Sequence, residues 1–218
     1  MMESILYLWD YLPGFLTASW LAFKIAAVTI VLSWLVGLIL ASGQRTGFLP
    51  VRHFVAIYIW VIRGTPALIQ IFIVYFGLPQ LGIKLNPFTA GVVALGLGSG
   101  AYVAEIIRSG LKAIPAGQFD GARSLGLSTL EVYRWIVLPQ VLRIVVPSLT
   151  NESINTLKNT SLLSAITVLE LTLHTQTMIA ATFRPFEFYL LAAVLYLLMT
   201  TVLSQFAQWF EKSYPAYT

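Results

Sequence analysis

Between residues 148 and 159, side chains that can recognise charge are spaced for one face of a helix. Ser148, Asn151, Glu152, Asn155 and Asn159 fall at i, i+3, i+4, i+7 and i+11. A set that is mostly amides, with one carboxylate and one hydroxyl, lacks the converging catalytic groups that bond chemistry requires. The set suits holding an ammonium or a carboxylate group instead. The flanking residues are apolar, so in a bilayer this stripe faces the bundle interior or a wet cavity. A charge near the bilayer centre costs on the order of 2.5 to 3.5 kcal/mol on insertion scales, so Glu152 reads first as functional. The plainer alternative is a stripe that only joins helices, with Glu152 paired to Arg63 or Lys158.

Other candidates are weaker. Arg63, Gly64, Thr65 and Pro66 form an RGTP motif in which Gly64 and Pro66 disturb a helix, so freed carbonyls there can line a cavity. Arg63 itself is expected to snorkel to the cytoplasmic interface. Glu105 and Arg108 stand at i, i+3, the spacing of a structural ion pair. Gly96, Gly98 and Gly100 make a small-residue face for close helix packing. His53 and His174 are isolated from other metal-ligand types, and the N-x-S matches at Asn151 and Asn159 fall in or beside a span. No metal site is expected.

The elements that must carry these residues are membrane helices. The chain has 218 residues, 58% hydrophobic and 10% charged, with a mean hydropathy of +0.81. A soluble domain carries roughly a quarter charged residues. At about 20 apolar residues per crossing, this length allows four to six spans in one domain and leaves no room for a soluble enzyme domain. Cysteine is absent, which removes disulfides, thiolate nucleophiles and zinc clusters together. The opening MMESILYLWDYLPG lacks a basic n-region and a small-residue cleavage site, and is expected to be mature sequence.

Spans are expected at residues 16–41, 54–76, 88–110 and 187–210, with a fifth, polar and kinked, at 140–181. Basic residues crowd the first and third connections, at Arg45, Arg52, Arg108, Lys112, Arg123, Arg134 and Arg143. Positive charge in short loops stays cytoplasmic, which puts the N-terminus outside and the C-terminus in the cytoplasm. The same asymmetry accounts for the net charge of +4, so no nucleic-acid partner is implied. The fold class is all-α integral membrane, five helices.

The third connection, residues 113–139, is built as a soluble piece. Pro115 suits a helix start and Gly126 the position just past a helix end. Ser128 and Glu131 have the spacing of a capping box. Leu130, Tyr133, Ile136 and Val137 then recur at helical spacing, with Pro139 interrupting before the next span. Helix, glycine turn and helix make a rigid knob with an apolar face, which calls for a socket on another protein.

Asp120, Gly121 and Ala122, then Gly126, then Ile136, Leu138 and Pro139 resemble the EAA loop of ABC importer permeases. Asp stands for Glu and Gly for the first Ala. RGTP with Gln70, AYVAEIIRSGLKAIPAGQ from Ala101 and LKNTSL from Leu157 resemble the polar amino acid uptake subfamily, the histidine and glutamine type. The resemblance implies a type I importer permease fold in the bacterial inner membrane. It implies a coupling helix in which Asp120, Gly121, Ala122, Ser124, Leu125, Gly126 and Leu127 meet an ATPase subunit.

Implied partners are two ABC ATPase subunits, a second permease chain (identical or a paralogue), an extracytoplasmic substrate-binding protein and membrane lipid. ATP and magnesium belong to the ATPase, and this sequence has no G-x-x-x-x-G-K-[ST] phosphate loop. The chain is then no enzyme but a transport subunit working by alternating access. An Asn-Glu pair at 151 and 152 resembles permeases for basic amino acids, so a cationic substrate such as arginine, lysine or histidine is expected. The alternatives are a permease for another small polar metabolite, an ion-driven carrier and a membrane enzyme. An ion-driven carrier normally shows internal repeats and twice the length, and a membrane enzyme needs converging catalytic groups.

Overall fold

Pro13 stands at the first turn of the longest apolar stretch, where its missing amide leaves nothing unsatisfied, and from there α1 runs over Leu12–Arg45. Its 34 residues reach about 51 Å, well beyond a hydrocarbon core of about 30 Å. The structure, a computed structural model, describes residues 8–212. The mature start expected at the N-terminus falls partly on residues 1–7, and the end of the tail expected in the cytoplasm on residues 213–218, both outside the described residues.

The other helices are α2 (Leu49–Gly64), α3 (Ala67–Leu81), α4 (Pro87–Lys112), α5 (Ala116–Ser124), α6 (Thr129–Ile166), α7 (Leu171–Thr182) and α8 (Pro185–Lys212). Among the described residues, α1, α4, α6 and α8 are long and apolar enough to cross a membrane. Counting the α2–α3 pair as one broken span brings the number to five.

The expected span at 54–76 is not one helix. The chain turns by 111° between α2 and α3. Pro66 has no amide to donate and forces the residue before it out of the helical region. Thr65 is accordingly extended, at φ −117° and ψ 143°.

The expected fourth span at 140–181 also differs. Its helix begins earlier, at Thr129, and ends at Ile166. Pro139 does not interrupt it. Residues Val132–Val137 form a π-helical turn, whose shifted bonding accommodates the missing amide, and Pro139 sits in the first turn of the α-helical run that follows. Thr167, at φ 63°, then turns the chain into α7.

Packing centres on α1 against α4, where glycine replaces side chains. A Cβ on Gly96 would lie 2.6 Å from Leu32, and one on Gly100 would lie 2.5 Å from Val36. The small-residue face therefore lets two spans approach closely, as van der Waals packing in lipid requires. His174 lies edge-on to Phe15 at 4.9 Å, a packing role.

Candidate functional site

Helices α4 and α6 run side by side, and two hollows lie along them. The first, about 500 Å³, is lined from α4 by Gly98, Ser99 and Tyr102 and from α6 by Glu152, Asn155, Lys158 and Asn159. Thr65, at the break before α3, and Gln70, in the first turn of α3, complete its wall. The second, about 530 Å³, takes Tyr102, Glu105 and Arg108 from α4, Ser148 and Glu152 from α6, and Arg63 from the end of α2. Tyr102 and Glu152 border both. From Ala94 to Gly110, the α4 residues lining this track span about 24 Å of helix, close to the hydrocarbon thickness of about 30 Å.

The break that borders the first hollow is held by one side chain. Gln70 Nε2 donates to the carbonyls of Ile62 at 2.8 Å and Thr65 at 3.0 Å, groups that the bend releases from helical pairing. Irregular backbone at membrane depth is tolerated where such partners exist and a cavity is lined. Gly98 admits the same amide, since a Cβ there would stand 2.8 Å from Gln70 Oε1. Ser99 and Thr156 hydroxyls bond at 3.1 Å across the α4–α6 contact.

Of the polar stripe, Ser148, Glu152, Asn155 and Asn159 border the track, and Asn151 is exposed outside both hollows. The ion pairs of the described residues join Arg63 and Arg108 to Glu105, not to Glu152. Glu152 therefore enters the track without the basic partner that the joining-stripe alternative gave it. Lys158 lines the same hollow, so the site offers one negative and one positive group.

The 113–139 segment folds as a second feature. Helix α5 ends in a glycine cap: Gly126 N–H donates to Arg123 O at 2.9 Å and Leu127 N–H to Ala122 O at 3.3 Å, with Gly126 at φ 79°. This double bond pattern satisfies carbonyls left free at a helix end. Pro115 caps α5 from just outside its first residue. Ser128 and Glu131 form the full capping box at the start of α6.

Ala122 is buried and Leu127 half-buried among Ile114, Val132, Val137 and Val141. Asp120, Gly121, Ser124, Leu125 and Gly126 stay exposed. Leu125 is 82% exposed and Leu130 76%, so both face outward, while Val137 of the same helical spacing is buried. Two leucines held out on a capped helical hairpin give an apolar tip on a rigid base. Arg45, the last residue of α1, donates to Tyr133 Oη at 2.6 Å and braces that base.

Ser99, Tyr102 and the clamping role of Gln70 were not singled out from sequence, and Lys158 was named only as an ion-pair partner for Glu152. Ser99 and Tyr102 stand three apart on a helix otherwise rich in glycine and alanine, which was the available signal. Glu170 was missed as well. It is fully buried, caps α7 by accepting from the amides of Thr172 at 2.9 Å and Leu173 at 3.0 Å, and accepts from Tyr196 Oη at 2.8 Å.

Comparison with known proteins is consistent over most of the chain. Residues 33–214 match the family described as the binding-protein-dependent transport system inner membrane component. The glutamine transport system permease protein GlnP of Escherichia coli (strain K12) is 36% identical over 199 residues, 90% of this chain and 91% of that protein. The probable glutamine ABC transporter permease protein GlnM of Bacillus subtilis (strain 168) is 36% identical over 180 residues, 83% of each.

A solved structure described as an amino acid ABC transporter with histidines superposes with a TM-score of 0.89 at 36% identity, covering 95% of this chain and 97% of that one. The MetNI methionine ABC transporter, at 17% identity and a TM-score of 0.74 over 99% of this chain and 100% of that one, shares the fold.

Proposed function

This chain belongs to the binding-protein-dependent transport system inner membrane component family, and from that premise we propose that the α4–α6 track is the path by which a polar amino acid crosses the membrane. The chain is an ABC importer permease, not an enzyme, with the type I permease fold. The observation that carries the proposal is the nearly membrane-length track with Glu152 at its waist, outside the ion pairs found among the described residues.

In this reading Glu152 receives an ammonium or guanidinium group, Lys158 receives a carboxylate, and Asn155 and Asn159 orient both. A carboxylate in a partly dehydrated hollow favours a substrate with a cationic side chain over a neutral one. Relatives named for glutamine share the α-ammonium, which the same carboxylate serves.

The exposed tip at Leu125 is the docking element for an ATPase subunit, and Asp120, Gly121, Ala122, Ser124, Gly126 and Leu127 shape it. Two ATPases dock to two permease chains from the cytoplasm, and a binding protein delivers substrate from outside. With the basic connections inside, the N-terminus is extracytoplasmic and the C-terminus cytoplasmic. Closure of the ATPases shifts the track between outward and inward access. ATP and magnesium act on the ATPases.

The test is uptake by cells carrying the native chain or Glu152→Gln, with arginine, lysine, histidine and glutamine as separate substrates. A loss of cationic amino acid uptake of about tenfold or more agrees with the removal of one charged hydrogen-bond partner. Unchanged uptake of all four rejects Glu152 as a ligand.

A further inference from the structure

The second hollow carries charge that this reading leaves unused. Glu105 accepts from Arg108 twice, from Nε at 2.9 Å and Nη2 at 2.7 Å, and from Gln44 Nε2 at 3.1 Å. Its oxygens are largely satisfied without Arg63, whose Nη1 stands 3.4 Å from Oε2. The Arg63 side chain remains 44% exposed, with its guanidinium 5.4 Å over the Tyr102 ring.

A guanidinium offers five donors in a planar fork suited to carboxylate. Most of those donors are not engaged by Glu105. Two guanidiniums against one carboxylate also leave this wall positive, while Glu152 supplies negative charge at the other border of the same hollow.

We propose that Arg63 is a second binding station, which takes the carboxylate of the substrate after it has passed the waist at Tyr102 and Glu152. The station rests on the reading of the track as an amino acid path. At the waist the Glu152 carboxylate keeps the ammonium end while the carboxylate end moves from Lys158 to Arg63, so the substrate advances without losing both charged partners at once. Glu105 holds Arg63 loosely, in place over Tyr102, until the carboxylate displaces it. The ligand chemistry is a zwitterion, and an amine without a carboxylate has no claim on Arg63.

The test is equilibrium binding to the permease–ATPase complex in nanodiscs, without the binding protein. The probes are radiolabelled arginine with agmatine as its carboxylate-free counterpart, and glutamine with 4-aminobutanamide. For the amino acid that the native complex binds, Arg63→Gln weakens binding on the order of tenfold and leaves the amine unchanged. Glu105→Gln, which removes the ion pair but keeps the guanidinium, preserves or tightens amino acid binding.

If Arg63→Gln and Glu105→Gln weaken amino acid and amine alike, the pair is only a tie between α2 and α4 and the station is overturned. Native affinity in Arg63→Gln overturns it equally, and the path reading stands as long as Glu152→Gln lowers binding. If the native complex binds none of the four probes, the path reading falls with it.

Discussion

Replacing Gly126 with valine acts on one backbone conformation and nothing else. At φ 79° the residue lies in the left-handed region, and no heavy atom stands within 4 Å of a Cβ built there. The cost is therefore conformational, not steric. An L-residue in that region costs roughly 1 to 2 kcal/mol, and a β-branched one more.

The variant gives up the double cap that joins α5 to α6, because the amides of Gly126 and Leu127 turn away from Arg123 and Ala122. A penalty of that size lowers the ratio of correctly to incorrectly shaped tip by about 5- to 30-fold, and docking of the ATPase weakens by up to the same factor. The assay is retention of the ATPase by the purified complex on size exclusion, together with substrate transported per ATP hydrolysed.

Two controls isolate the cause. Gly126→Asn, which tolerates the left-handed region, recovers most of the loss. Gly117→Ala, in open space inside α5 and outside the residues that shape the tip, keeps docking and firms the helix by roughly 0.5 to 1 kcal/mol. A valine variant that retains its ATPase and its transport ratio refutes the reasoning.

Gly100→Ala drives a methyl into Val36 across the α1–α4 contact, and overpacking of this kind costs about 1 to 3 kcal/mol. The detergent-solubilised chain then melts earlier, and adding Val36→Ala restores part of the loss; independent, additive effects would show the contact is not the cause. Glu170→Ala strips acceptors from two amides and from Tyr196, at about 1 to 3 kcal/mol for each buried group left unsatisfied. Glu170→Gln keeps one carbonyl oxygen and falls less, so equal melting temperatures for the two variants would contradict the capping role.

The features legible in the sequence are those that local chemistry decides. The capping box at Ser128 and Glu131 needs only two residues at the right interval, and Gly126 is a C-cap because no other residue takes that conformation as readily. The stripe from Ser148 to Asn159 follows from helical period alone, and the helix is there. Its limit is instructive, since Asn151 shares the spacing yet faces away from the track, and a stripe about one turn wide does not define which edge meets α4.

The features not legible depend on distant residues. RGTP marks a break, but a 111° turn is decided by Gln70 reaching back to Ile62 and by Gly98 making room on α4. Arg63 was expected to snorkel to the cytoplasmic interface, and its ion pair with Glu105, 42 positions later, at the second hollow was not legible. Pro139 reads as an interruption under α-helical rules, and a π-helical turn relieves it. Glu170 was hidden by its surroundings, because a buried carboxylate beside a helix start reads as a cap only once Thr167 is known to reverse the chain.

The measurement closest to the central claim uses the absence of cysteine, since any introduced thiol is the only one on the chain. Asn155→Cys and Ser148→Cys place a thiol in each hollow, and Leu197→Cys places one on the exposed apolar face of α8. In complexes that retain ATP-driven uptake, saturating amino acid is predicted to slow modification of the first two by a charged thiol reagent and to leave the third unchanged. Modification of Asn155→Cys at the same rate with and without a transported amino acid would contradict the path along α4 and α6.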